Sequence, residues 1–310
     1  MSYKHKYLIP IVAYIIFAIA IAEVAFSWQL YSIAILLPLL YVIFETKLLN
    51  NDTKIKILQT GVYITTFATL IFSWHTGLFL LGLALGWIFW LTGIHGSLHK
   101  YSSHKCFTAK NKLAEFFILL MGTIVSLGSN ISWASTHRKH HLYSDQEGDP
   151  HSIHVGGKGV WHAIKIYFYY FPTYLVSPRI VKDLTVDPMH RWFHNNYYRI
   201  IFSYVILLAL IDPIYVAYFY ALPVLYVYTG ISYITVFAHN ITLYKLFGYK
   251  NYTTTDQTFN WSIASLLFPG EGNHNNHHAR PGEASNALEP GDIDTGYWYL
   301  RLIGNIPKHE

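Results

Sequence analysis

Four apolar stretches, residues 57–74, 77–94, 198–219 and 222–238, constrain this chain more than any other feature. Each comes close to the roughly 20 apolar residues that a helix needs to cross a bilayer. In hydrocarbon the backbone must satisfy its own N–H and C=O groups, so such stretches are read as helices. Composition agrees. Hydrophobic residues make up 53% and charged residues 13%, against about 25% charged in soluble domains. Mean hydropathy is +0.26. A disordered chain and a long coiled coil are excluded. The fold class read here is all-α: multi-span membrane helices carrying a histidine-rich domain.

The rest of the chain fills in around these spans. Residues 8–26 and 29–44 read as an N-terminal helical hairpin, retained as an anchor because no small-residue cleavage site follows Lys4 and Lys6. Residues 163–178 are aromatic, interrupted by Pro172, and read as interfacial. The expected division is a hairpin and loop over 1–56, a membrane catalytic domain over 57–304 and a short tail over 305–310. Asp212-Pro213 sits within the third apolar stretch and marks either a kink or a plain helix break. The net charge of +5 comes without any dense basic run, so nucleic acid is not an expected partner. Cys106 is the sole cysteine, which excludes intrachain disulfides and cysteine metal clusters.

Histidine is the unusual residue: there are 18. Thirteen fall in or near a few runs: His95, His99 and His104; His137, His140, His141, His151 and His154; His162; His239; and His274, His277 and His278. HRKHH and HNNHH share the spacing i, i+3, i+4, which puts three imidazoles on one helix face. Neutral imidazole suits iron and zinc. HExxH is absent, and the candidates exceed what one metal can take, so two metals are expected. His99 and His104 are five apart, about 140° around an α-helix. Either the helix breaks near Ser102-Ser103 or His95 is the partner of His99; spacing alone leaves both open.

A shared centre also constrains topology. All the runs must then lie on one side of the membrane, separated by even numbers of crossings. The apolar segment 113–134 stands alone between the first two runs, so it should lie along the membrane or dip into it without crossing. Lys47, Lys54, Lys56, Lys100, Lys105, Arg138, Lys139, Arg280 and Arg301 then all fall on the inner side, as the positive-inside rule requires.

With these runs on the page, the chain resembles the membrane fatty acid desaturase family, most of all its acyl-CoA delta-9 type. That family carries HxxxxH, HxxHH and HxxHH boxes. Here they read His99 to His104, His137-Arg-Lys-His140-His141 and His274-Asn-Asn-His277-His278. The flanks SDQEGDPHS, Asp187-Pro188 and Gly270-Glu271-Gly272 are similar too, and the resemblance covers roughly residues 57–304. It implies two iron ions held by His99, His104, His137, His140, His141, His239, His274, His277 and His278, and it selects His104 over His95. Asp145, Asp149 and Glu271 are expected to orient ligating rings. Where the family has an asparagine that holds a water near one iron, this chain has Thr235. Ser135-Thr136 stands where many acyl-CoA enzymes have charged residues.

The implied activity is O2-dependent removal of two hydrogens from adjacent methylenes of a long saturated acyl chain, leaving a cis double bond at delta-9. The chain would be carried on coenzyme A, a carrier protein or a lipid. Gly86, Trp87, Trp90, Gly93, Ile94, Trp133 and Trp261 are expected in the substrate wall, and Arg138, Lys139 and Lys158 near an anionic headgroup or carrier. No heme, flavin or dinucleotide module is visible, so a separate donor such as cytochrome b5 or ferredoxin with its reductase is expected. The boxes would face the cytosol, from a bacterial inner membrane or the endoplasmic reticulum. The rivals are a hydroxylase of the same superfamily and, from another class, a histidine-rich metal transporter.

Overall fold

The computed structural model describes residues 44, 49–150, 152–155, 177–239 and 248–307. The hairpin expected at 8–44 (apart from Phe44), the interfacial segment at 163–178 (apart from its last two residues) and Lys158 lie outside the described residues. The regular elements of the described chain are helices, apart from one pair of two-residue strands and isolated bridges. It forms two compact units, residues 1–86 with 196–226 and residues 87–195 with 227–310.

The first unit is built on α1 (Asn51–Phe72), the start of α2 (Thr76–Ser103), α7 (Tyr197–Ile211) and the start of α8 (Ile214–Phe237). Asn50 caps α1 by accepting from the Thr53 N–H at 2.8 Å. Among the described residues, three helices are long and apolar enough to cross a membrane: Thr53–Phe72, Thr76–Ser103 and Ile214–Phe237. Large apolar side chains such as Ile71, Phe72, Leu80 and Leu81 are exposed on them, as lipid contact requires and water does not favour. Together these helices make the chain an integral membrane protein.

The break between the third and fourth apolar stretches falls earlier than the sequence reading placed it. α7 stops at Ile211, and Asp212 turns the chain by accepting from the Ile214 N–H at 3.0 Å. Pro213 then leads directly into α8. Asp212-Pro213 is therefore a helix break between two elements and not a kink inside one. α8 runs on through two π-helical turns, Ala217–Ala221 and Tyr233–Phe237.

The second unit holds the rest of α2, then β1 (Thr108–Ala109), α3 (Lys112–Ile124), α4 (Asn130–Tyr143), α5 (Lys182–Val186), α6 (Pro188–Asn195), the end of α8, a 3-10 turn (Ser262–Leu266), α9 (His274–Ala279), α10 (Gly296–Ile303) and β2 (Gly304–Asn305). β1 and β2 pair antiparallel, Thr108 with Asn305 and Ala109 with Gly304. The apolar run 113–134 is not one segment. α3 has 13 residues, about 20 Å, short of a bilayer core. Ser126 and Gly128 take positive φ and reverse the chain, and Ser129 caps α4. Asn130 ties the corner together. Its Oδ1 accepts from the hydroxyls of Ser97 and Ser102, and its Nδ2 donates to the Leu119 carbonyl. Satisfied buried polar groups of this kind fix one arrangement of α2, α3 and α4.

Candidate metal centre

The first box lies on the last part of α2, which is wound as a π-helix over Trp90–Ser103. The His104 N–H donates to the His99 carbonyl, an i to i+5 bond of 3.1 Å. In that winding residues five apart meet on one face. The ring centroids of His99 and His104 stand 5.0 Å apart. The two alternatives left open by spacing both assumed an α-helix, and neither is needed. The second box lies on α4 and the third on the short helix α9.

Five histidines, His99, His104, His137, His141 and His277, bring one donor atom each within 4.8 Å of one another. Their Nε2 atoms face each other: His99 to His277 at 2.9 Å, His104 to His137 at 2.8 Å, His137 to His141 at 3.1 Å and His141 to His277 at 3.0 Å. A second set holds His140, His239 and His278. His274 joins it, with Nε2 3.2 Å from Nε2 of His239. All nine histidines named from the sequence thus fall into two sets. Facing nitrogens at this spacing suit a shared cation, since cis ligands at metal–nitrogen bonds of about 2.1 Å lie about 3 Å apart. The Nε2 of His278 is buried without a hydrogen-bond partner. The donors therefore fit two metal ions, and the clusters are compatible with a di-iron site.

Carboxylates hold the opposite nitrogen of several rings. Nδ1 of His140 bonds Asp149 at 3.0 Å, and Nδ1 of His239 bonds Asp145 at 3.0 Å. Glu271 takes Nδ1 of His99 at 2.5 Å. Such bonds leave Nε2 as the unprotonated donor. The sequence reading missed Asp256, whose Oδ2 accepts from Nδ1 of His278 at 2.8 Å. Thr254 and Thr258 hold its other oxygen, and no box spacing points to it. His154 was also without a role; its ring bonds the His239 carbonyl. Asp145 takes φ 57° to present its two oxygens to Ser152, Gln257 and His239.

Burial holds the imidazoles of His104, His141, His277 and His278 well below the ordinary histidine value. His274 is pushed down to about 4 for the same reason. These rings are neutral at pH 7, the form that binds metal. Burial also pulls His239 down, but Asp145 outweighs it and leaves His239 raised. Glu271 is held well below the carboxylate range: burial opposes this, and the neighbouring His99 leads the groups that overcome it.

A cavity opens onto histidines of both sets. Its apolar wall is Ile94, Trp133, Ile231 and Ile234, and it reaches His99, His137, His140, His239 and His274. Of the seven wall residues expected from the sequence, Ile94 and Trp133 line it. Trp90 instead packs on Phe268 and donates to the Pro269 carbonyl, and Trp87 donates to the Leu266 carbonyl. Gly93 lies against Val125 and Met121, and Trp261 against Tyr233. Thr235 lines the cavity, and its hydroxyl donates back to the Ile231 carbonyl at 3.0 Å. Arg138 is engaged within the protein. It grips Asp183 through both terminal nitrogens and donates to the carbonyls of Ser102, Ser103 and Ile180.

Comparison with known proteins agrees with this geometry. The family model described as fatty acid desaturase matches residues 72–290. The chain is 32% identical over 238 residues to the sn-1 stearoyl-lipid 9-desaturase of Anabaena variabilis, covering 75% of this chain and 82% of that protein. It is 30% identical over 276 residues to the sn-1 stearoyl-lipid 9-desaturase of Synechocystis, with 84% and 82% covered. A sn-2 palmitoyl-lipid 9-desaturase of Nostoc is 29% identical over 244 residues, with 76% and 80% covered. With three histidine boxes gathered into two donor sets beneath an apolar cavity, the chain belongs to the fatty acid desaturase family.

Proposed function

We propose that this enzyme introduces a cis double bond at delta-9 of a long saturated acyl chain, and that the acyl chain is carried on a glycerolipid. One observation carries the reading: an apolar cavity walled by Ile94, Trp133, Ile231 and Ile234 that opens onto histidines of both donor sets. An acyl methylene segment fits such a wall, and its position against the donors selects the bond. The similar proteins named above are lipid 9-desaturases, which supports position and carrier together.

The nine histidines are proposed as the ligands of two iron ions: His99, His104, His137, His141 and His277 for one, and His140, His239, His274 and His278 for the other. Bound iron would supply the O2-dependent oxidising power that the removal of two hydrogens requires. The chain's own residues do the rest. Asp145, Asp149, Asp256 and Glu271 hold the ligating rings with Nε2 forward. Trp133, stacked on His137 at 6.1 Å, and the isoleucines exclude water and hold the acyl chain beside the donors. Electrons come from a separate protein, a ferredoxin or cytochrome b5 with its reductase, meeting the inner face where the boxes lie.

The test is expression in a host without its own desaturase, with fatty acids analysed from separated lipid classes and double bonds located by derivatisation. A new cis-9 acid first appearing in glycerolipid, and absent with His140→Ala, is the expected result. A product appearing first in the acyl-CoA pool would move the carrier to coenzyme A. A hydroxy acid in place of the alkene would move the reaction to hydroxylation.

A further inference from the structure

We propose that His95 is a positioning residue for the metal centre: it holds the Glu271 carboxylate where that one group reaches a ligand of each histidine set. The proposal rests on reading the two sets as metal ligands. His95 lies on the π-wound part of α2, four residues before His99, and is wholly buried. Its Nδ1 is 3.8 Å from Oε1 of Glu271. The same Oε1 takes Nδ1 of His99 at 2.5 Å, and Oε2 lies 3.6 Å from Nδ1 of His274. Three imidazoles thus surround one buried carboxylate, two of them from opposite donor sets.

Packing alone does not account for this imidazole. Both its ring nitrogens are buried without a hydrogen-bond partner, and so is Oε2 of Glu271. A phenylalanine or leucine would fill the space without leaving polar atoms unpaired. The site is also shaped to the ring from two separate segments. A Cβ on Gly270 would fall 2.0 Å from His95 Nδ1, and one on Gly296 would fall 2.4 Å from Nε2. Gly270, at φ 84°, directly precedes Glu271, so the turn that carries the carboxylate also presses on the ring. The ring has no room to swing away. The short bond from His99 fixes Oε1 from one direction only. The Nδ1 edge of His95 faces the same oxygen from a second direction, so the polar edge of the ring, and not its bulk, adds the second constraint on the carboxylate.

The test compares His95→Phe, which fills the niche without an N–H, with His95→Gln, which keeps a donor. Full-length protein in detergent is loaded with iron. Its resistance to an iron(II) chelator and its Mössbauer spectrum are read beside its activity. The expected result is roughly ten- to hundredfold weaker iron retention in His95→Phe, with an altered spectrum, and substantial recovery in His95→Gln. Wild-type retention and spectrum in His95→Phe would overturn the proposal, as would equal loss in both variants. Gly296→Ala, which crowds the ring and leaves His95 in place, should lose iron as His95→Phe does; wild-type retention there would also overturn it. His140→Ala runs alongside. If that variant keeps both irons, the ligand reading itself has failed, and not merely the role of His95.

Discussion

Asp256 accepts at Oδ1 from the hydroxyls of Thr254 and Thr258 and from the Thr258 N–H, which leaves Oδ2 fixed against Nδ1 of His278. An amide in its place keeps the size but turns an acceptor into a group that can also donate, and it removes the charge. Asp256→Asn should therefore weaken iron retention roughly ten- to hundredfold, read by chelator competition, with expression unchanged. A second carboxylate, paired with Arg138 of box two, contributes to stability. Burial works against ionisation of Asp183, but Arg138 and Lys105 overcome it and hold its carboxyl well below the usual range. A depressed folded pKa gives stability that is present above the unfolded value, about 3.9, and lost as pH falls below it. Thermal unfolding from pH 5 to pH 2 should thus fall less steeply in Asp183→Asn than in the wild type, and the variant should be the less stable of the two at pH 5. The sequence named Asp145, Asp149 and Glu271 because they stand next to boxes. Asp256 has no such neighbour and becomes visible only when its loop is folded against α9.

At the scale of elements, the winding of α2 decides the first half of the centre. HxxxxH is a poor pattern for an α-helix and a good one for the π-helix that forms here, with the His104 N–H reaching the His99 carbonyl. Hydrophobic pattern reports a helix but not its winding, so the sequence showed which histidines were spaced oddly and not how the backbone absorbs the oddity. The end of this wide turn leaves the carbonyls of Ser102 and Ser103 pointing outward, and Arg138 from α4 takes both while gripping Asp183. One side chain thereby fixes the element that carries box one to the element that carries box two. Lysine cannot reproduce that fork. Arg138→Lys should leave the chain folded but misplace His104, and the five-histidine set should lose its iron before the other. A purified variant binding about one iron in place of two, with the remaining site spectroscopically intact, is the expected outcome; full loading would show that the fork is not needed.

For the whole molecule, the apolar stretches were legible because lipid demands length and composition together, and those two properties are written in the chain. Where helices stop was less legible, because the stops are polar details: Asp212 between α7 and α8, and Ser126 with Gly128 between α3 and α4. The second of these matters most. If α3 and α4 together made a crossing, boxes one and two would lie on opposite faces of the membrane. α3 is about 20 Å long and is followed by a reversal, so the arrangement that keeps all boxes on one side needs no additional span. That topology predicts opposite exposure for two positions. Trp74, in the turn between α1 and α2, is exposed and lies at the far end of α2 from the boxes. Lys182, on α5, is exposed and directly precedes Asp183, the carboxylate that Arg138 of box two grips. Cysteines placed at each should react with a membrane-impermeant thiol reagent from opposite sides, Trp74→Cys in intact cells and Lys182→Cys only in inverted vesicles. The native Cys106 adds little background, since it is buried and burial pushes its thiol up. Labelling of both positions from the same side would mean that α2 does not cross, and the parity that gathers nine histidines onto one face would have to be built another way.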